Sequence, residues 1–343
     1  MDSGRFRELL GVPGPFASVY FEDSGDDDDP NARLELKWRV LRDELAQHGA
    51  DASIIAAIEH AVLQLRLPIG RGGRAVIAAA SGVLVNEYLL RPTARPVVRV
   101  SELPYIVPIL EYGVTQSDYL LVVADPAGAF ITSHFDATRL SETIEAELHT
   151  VADRIGELVH DTSWRSLFLV GDEGSRSSLA AALPDRIRER VTPLPIAVRR
   201  GGYDFEEIQR AIDSTLLMQR RSAMDTAAAR FTEEVDRRSG LAVEGLGAVC
   251  SALSQGAVDT MIIGEIDDAT VVSDEGLTAV APSADMLGTQ GAATAKTRRA
   301  DEALPLLAIS GGASVVRTDE RIAPADGIGA VLNNAAAPNQ AHR

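Results

Sequence analysis

The sequence predicts an α/β protein of more than one domain, and three observations carry that reading. The stretch Leu241–Glu265 (LAVEGLGAVCSALSQGAVDTMIIGE) reads as a helix from Glu244 to Gln255, a stop at Gly256, and a buried strand from Val258 to Ile263. Leu246, Val249, Cys250 and Leu253 recur at helical spacing, so one face is apolar. Glycine has no Cβ to clash in the left-handed conformation that ends helices. Two further short apolar runs, Tyr119–Ala124 and Ser166–Val170, flank a helical pattern from about Leu140 to His160, as covered strands of a layered sheet would. Finally, 343 residues exceed one ordinary domain, and 45% hydrophobic content suffices for proper cores.

In chain order, FASVYF (residues 16–21) alternates as a strand, and the aspartates 26–29 form a solvated loop. Helices are expected from Asn31, through Leu34, Trp38, Leu41 and Leu45, and from about Asp51 to Leu65. Strand-like runs follow at 75–80, 83–89 and 97–100, joined by glycine or proline turns. Prolines at 104 and 108 mark a linker. The second segment opens on a hairpin, 119–124 with 129–132, then the helix from Leu140. After the strand 166–170 come short helical pieces, a strand at Pro195–Val198 and a long, mostly polar helix from Phe205 to Arg237 suited to a spine. The third segment begins near Leu241. It continues with a strand at 270–272, a helix at 299–307 kinked by Pro305, a strand at 313–316, and a helical turn or short helix over Asp326–Leu332. The expected boundaries are 1–111, 117–238 and 240–333, with 334–343 a flexible tail.

The net charge of −17 argues against broad, sequence-independent nucleic-acid binding, which rests on Lys and Arg. Of 33 basic residues, only Lys37 and Lys296 are lysines. Cys250 lies on the apolar helix face and is expected to be a buried, inert thiol. No apolar run reaches membrane-spanning length, and the opening MDSGRFRELL lacks the plan of a secretory signal, so a cytoplasmic protein without membrane contact is expected. Concentrated positive charge occurs at Arg71-Gly72-Gly73-Arg74 and at Arg91, Arg95 and Arg99. Phosphate contacts from a glycine-permitted loop are the functional reading; solvent-facing turn arginines are the ordinary one. Hydrolytic signatures are missing: there is no G-x-S-x-G, no H-E-x-x-H, no P-loop lysine. His134 with Asp136, and His149 with Asp153, lack a third ligand and read as surface pairs. No metal or other cofactor is expected.

The residues Gly245, Val249, Ala252, Leu253, Gly256, Ala257, Val258, Asp259, Ile263 and Glu265 resemble the opening of the C-terminal domain of the archaeal and eukaryotic class-one release factors and Pelota. The likeness extends over about residues 117–333. It includes the strand ending at Gly171, the Gly201-Gly202 turn into the spine helix, and the terminal Ala325-Asp326-Gly327-Ile328-Gly329-Ala330-Val331-Leu332. Residues 1–111 look closest to the bacterial branch, which includes the Balon-type ribosome hibernation factors. The resemblance implies a three-domain, release-factor-like α/β architecture: a small α+β N-terminal domain, an RNase H-like middle domain and an L7Ae-like C-terminal domain.

One departure shapes the expected mechanism. Release factors carry Gly-Gly-Gln on a middle-domain loop, and this sequence has no such tripeptide; residues 133–141 are expected to pass directly into a helix. The resemblance then implies a non-catalytic factor in the A site of idle or stalled ribosomes, for hibernation, protection or rescue. Arg71, Gly72, Gly73, Arg74, Arg91 and Arg95 would meet ribosomal RNA. Arg199, Arg200, Lys296, Arg298 and Arg299 would dock partners, with an elongation factor Tu-like GTPase the leading candidate and the free protein a monomer. Two alternatives belong to other classes. One is a hydrolase, either a peptidyl-tRNA hydrolase or an RNase using Asp125 with Asp172 or Glu173; the other is an L7Ae-type RNA binder using Lys296, Arg298 and Arg299.

Overall fold

The structure, a computed structural model, describes residues 4–23, 29–64, 72–113, 119–133, 141–161, 166–196, 202–289, 295–318 and 322–333. Two compact units result: residues 1–113 together with 219–343, and residues 114–218. The division falls inside one long helix.

The first unit begins with a 3-10 helix, Gly4–Gly11, then β1 (Phe16–Glu22), α1 (Pro30–Gln47) and α2 (Ala52–Gln64). β2 (Gly73–Ala79), β3 (Gly82–Leu89), β4 (Val97–Ser101) and α3 (Val107–Tyr112) follow. The four strands form an antiparallel sheet in the order β3-β2-β1-β4. Strand side chains alternate between faces, and here both faces are covered. Ala17, Val19 and Phe21 pack on Trp38, Leu41 and Ile58 of the two helices. Phe16 and Tyr20 belong to a second core shared with Val249, Leu304 and Ile309 from the end of the chain. That is why β1 is buried at six consecutive positions where a half-exposed strand would alternate with polar residues.

The second unit contains β5 (Tyr119–Asp125), β6 (Gly128–Ser133), β7 (Ser141–Ile144) and α4 (Leu148–Asp161). Then come β8 (Ser166–Gly171), α5 (Glu173–Ala182), α6 (Asp185–Arg188), β9 (Val191–Leu194) and the start of α7 (Phe205–Arg237). Its sheet order is β7-β6-β5-β8-β9, with β5, β8 and β9 parallel and β6 and β7 antiparallel. Two expectations need correction here. Residues 141–144 are an edge strand on β6, and the helix starts at Leu148. The last described strand of this sheet is Val191–Leu194, four residues ahead of the expected Pro195–Val198, of which residues 197–198 lie outside the described residues; its Pro193 is tolerated because β9 is an edge.

The remainder of the first unit contains β10 (Ala242–Glu244), α8 (Leu246–Ser254), β11 (Val258–Ile263), β12 (Thr270–Ser273), β13 (Val280–Ala281) and α9 (Ala284–Thr289). β14 (Lys296–Arg299), α10 (Ala300–Ser310), β15 (Ser314–Arg317), a 3-10 turn at Ala325–Gly327 and β16 (Ile328–Leu332) complete it. One sheet runs β10-β16-β11-β15 and a smaller one β13-β12-β14. The expected short helix over Asp326–Leu332 is therefore a strand, buried at all five positions of β16 and paired on both sides.

α8 shows how local chemistry sets its ends. At the C-terminus Gly256 has φ +65, and the Gly256 and Ala257 amides donate to the Leu253 and Ala252 carbonyls at 2.9 and 3.0 Å. This is the Schellman pattern, which satisfies carbonyls the helix leaves free. At the N-terminus the cap comes from far along the chain. Leu246 N donates to Asp326 Oδ2 at 3.0 Å, while Ala325 N donates to Glu244 Oε2 at 3.3 Å. The capping exchange joins the two motif-bearing stretches. Asp326→Ala removes that cap at a position with φ 55, a conformation aspartate tolerates better than alanine, and should cost about 1–2 kcal/mol in urea unfolding. An unchanged midpoint would deny the cap its role.

Candidate functional site

The basic residues expected to meet RNA divide sharply. Arg71 lies outside the described residues. Gly72 and Gly73 are buried, and a Cβ on them would come within 2.3 Å of the Tyr88 ring and 2.7 Å of Pro92 Cα. These glycines permit close packing at the start of β2, so the expected phosphate-binding role is corrected. Arg74 is also corrected. It is 1% exposed, and its guanidinium donates to the carbonyls of Ala61 (2.5 Å) and Val62 (3.1 Å), to Asn86 Oδ1 (3.0 Å) and to Asp23 Oδ2 (3.3 Å). Ala61 and Val62 lie in the last described turn of α2, and carbonyls near a helix C-terminus need partners from outside the helix. A buried cation closing that end also complements the helix dipole. Arg74 is thus a helix cap.

Arg91 and Arg95 differ. Both are exposed on the β3–β4 connection, and no carboxylate partner is seen for either among the described residues. Arg95 borders a groove of ≈ 500 Å³ lined by Phe21, Val40, Leu41, Pro92 and Pro96, with Lys37 and Glu22 at one side. Lys37 is engaged there, donating to the Glu22 carbonyl at 2.8 Å and pairing with its carboxylate at 3.3 Å. Arg99 is committed elsewhere: it lies over the Tyr105 ring at 3.6 Å and pairs with Asp301 at 2.7 Å.

Among the docking candidates, Arg199 and Arg200 lie outside the described residues. Lys296 is exposed, near Glu275 (3.5 Å) and Glu102 (3.9 Å). Arg298, 9% exposed, donates to Ser273 Oγ at 2.8 Å and to the Glu275 carbonyl at 3.3 Å, fastening the 273–275 corner. Arg299 joins Asp268 at 2.7 Å and Asp301 at 3.0 Å, and these pairs hold its charge. Arg298 is an internal fastener, while Arg299 is partly exposed and already engaged by carboxylates.

The carboxylates of the hydrolase alternative sit at the ends of adjacent parallel strands, since Ala124 of β5 pairs with Gly171 of β8. Asp125 accepts from Ala127 N at 2.7 Å, closing the hairpin turn. Asp172 caps α5, accepting from Ser175 N at 3.0 Å and Ser175 Oγ at 2.6 Å, and those bonds hold its carboxyl below the usual range. Tyr203 reaches toward the Ala124 carbonyl, its phenol pushed up by burial and by the charges of Asp172 and Asp125. His149 pairs with Glu147 at 3.2 Å on the surface. His134 and Asp136 lie outside the described residues. No group of three or more His, Cys, Asp or Glu suited to a metal occurs among the described residues. Cys250 is buried, and desolvation pushes its thiol up to about 12, so it holds no thiolate near neutrality.

The sequence model of the family described as "Bacterial archaeo-eukaryotic release factor family 2" matches residues 126–237. The uncharacterised protein Rv2629 of Mycobacterium tuberculosis is 38% identical over 365 aligned residues, which cover 98% of this chain and 98% of that one. The chain belongs to the bacterial archaeo-eukaryotic release factors. It is similar also to ribosome-bound archaeal Pelota, in a structure with ABCE1, at 12% identity over 98% and 94% of the two chains with a TM-score of 0.44. Saccharomyces cerevisiae Dom34 aligns at 10% identity over 96% and 91%, with a TM-score of 0.42.

In this release-factor relative, the connection between β6 and β7, residues 134–140 (HFDATRL), contains no glycine, and Gly-Gly-Gln occurs nowhere in the chain. Gly201 lies outside the described residues; Gly202 has φ +110, and Asp204 Oδ1 accepts from the Glu206 and Glu207 amides to start α7. None of the described helices is long and apolar enough to cross a membrane.

Proposed function

We propose that the protein is a non-catalytic ribosome-binding factor that occupies the aminoacyl-tRNA site of idle or stalled ribosomes, in hibernation, protection or rescue. The carrying observation is membership of a release-factor family by a chain with no Gly-Gly-Gln. Two glycines let backbone enter a crowded reaction centre, and this sequence lacks the Gly-Gly-Gln tripeptide that supplies them. The factor acts as a cytoplasmic monomer when free, with a translational GTPase of the elongation factor Tu type as delivery partner.

Arg91 and Arg95, exposed and free of carboxylate partners among the described residues, are the contacts for ribosomal RNA phosphates. They meet it locally, which reconciles RNA contact with a net charge of −17. In co-sedimentation with purified ribosomes, Arg91→Glu with Arg95→Glu should weaken binding about tenfold or more and lower the salt slope by roughly 2. Equal binding by the double variant would place the RNA contact elsewhere. Ribosome complexes charged with peptidyl-tRNA should release no peptide on addition of the factor; release would refute the non-catalytic reading.

A further inference from the structure

At the joint between the N-terminal sheet and α10, both within the first unit, lies a charge cluster with one carboxyl, Glu302, buried in it and incompletely compensated. Arg99 of β4 reaches Asp301 at 2.7 Å and Glu302 at 3.6 Å. Arg299 pairs with Asp301 at 3.0 Å and with Asp268 at 2.7 Å. Three carboxylates therefore share two guanidiniums. Asp268 is open to water, but Glu302 is 3% exposed, and its Oε1 is a buried atom with no hydrogen-bond partner. A buried carboxylate without full compensation favours its neutral form.

The groups facing Glu302 come from every element around it. β4 supplies Arg99 and Ser101, whose hydroxyl donates to the Leu103 carbonyl at 2.7 Å; α10 supplies Asp301, and β14 supplies Arg299. β1 supplies Tyr20, which also senses Glu87 of β3. The Tyr20 hydroxyl donates to the Tyr105 carbonyl, and Arg99 lies on the Tyr105 ring. Burial keeps both phenols neutral. The position of Glu302 in the first turn of α10 favours its charged form, as do the two arginines, while burial and Asp301 oppose it.

We propose that Glu302 is the proton-binding element of a latch that ties the N-terminal sheet to α10 and tightens when the carboxyl is protonated. Asp301 retains the Arg99 contact in either state, so protonation removes the uncompensated charge without unfastening the arginine. Burial raises Glu302 from 4.5 to about 6. A raised native pKa means that the folded state binds the extra proton. The stabilisation is complete below the unfolded value and is lost as pH rises through about 6. The latch is therefore closed more firmly in mildly acid medium than at pH above 7.

The test is amide hydrogen exchange on segments 97–101 and 300–310 of the full-length chain, corrected for intrinsic pH dependence. Protection should be about 8-fold greater at pH 5 than at pH 7.5 in the wild type. Glu302→Gln should be equally protected at both. A variant that keeps the wild-type pH dependence would overturn the proposal. Carboxyl ¹³C spectra of glutamate-labelled wild-type protein decide independently of the variant's folding: one glutamate must titrate near pH 6, and finding none above pH 5 would also overturn it.

Discussion

Replacing Arg74 by alanine should destabilise the first unit by about 3–5 kcal/mol, as measured by urea unfolding followed through Trp38 fluorescence in a Trp164→Phe background. Two physical terms add up to this value. The α2 carbonyls of Ala61 and Val62 and the Asn86 amide oxygen lose the donors that satisfy them in a buried place. Asp23, whose side chain is 28% exposed, loses a cation at 3.3 Å. Trp38 is 2% exposed in the core that α1 and α2 form on β1 and β2, so its emission reports that layer directly. Arg95→Ala, on an exposed loop, should shift the same curve by less than about 0.5 kcal/mol. The contrast matters for function: a loss of ribosome binding by an Arg74 variant would report unfolding, whereas the same loss in Arg91 or Arg95 variants would report contact.

Gly327→Ala should cost about 3 kcal/mol or more, read as loss of cooperative unfolding or of soluble protein. Gly327 has φ +69, and a Cβ there would lie 2.1 Å from the Glu265 carbonyl oxygen. The left-handed conformation alone costs a residue with a Cβ about 1–2 kcal/mol. The clash is with backbone, which cannot swing away as a flexible side chain would. Relief requires parting β16 from β11, where Gly264 N donates to the Gly327 carbonyl at 2.8 Å. Gly264→Ala is the milder control, since its nearest neighbour would stand at 3.1 Å. Equal stability of the two variants would mean that the chain relaxes around Gly327.

Much of the fold could be read before any coordinates. The helix Phe205–Arg237 and the strand Val258–Ile263 fall where periodicity placed them, and Gly256 has the positive φ its position called for. The misread elements share a physical cause. Ile328–Leu332 is five apolar residues, too short for periodicity to separate a strand from a buried helical turn. Ser141–Ile144 (SETI) is a polar edge strand, and its only warrant is pairing with β6, which no local pattern announces. The candidate site was legible as charge but not as burial. Arg74 is the second residue of a strand that is buried at all seven positions, a local hint, but its partners lie on α2, Asp23 and β3. Arg298 and Arg299 were likewise visible as basic residues, while the carbonyl, hydroxyl and carboxylates that engage them come from residues 267–275 and 301. Among the described arginines expected to meet RNA, Arg91 and Arg95 remain exposed.

A cryo-electron microscopy map of ribosomes mixed with the purified protein tests the central claim most directly. The account predicts density for the chain in the aminoacyl-tRNA site, with the 91–95 loop against ribosomal RNA and the peptidyl-tRNA ester intact. An empty aminoacyl-tRNA site, density bound elsewhere on the ribosome, or a deacylated tRNA beside the bound factor would contradict it.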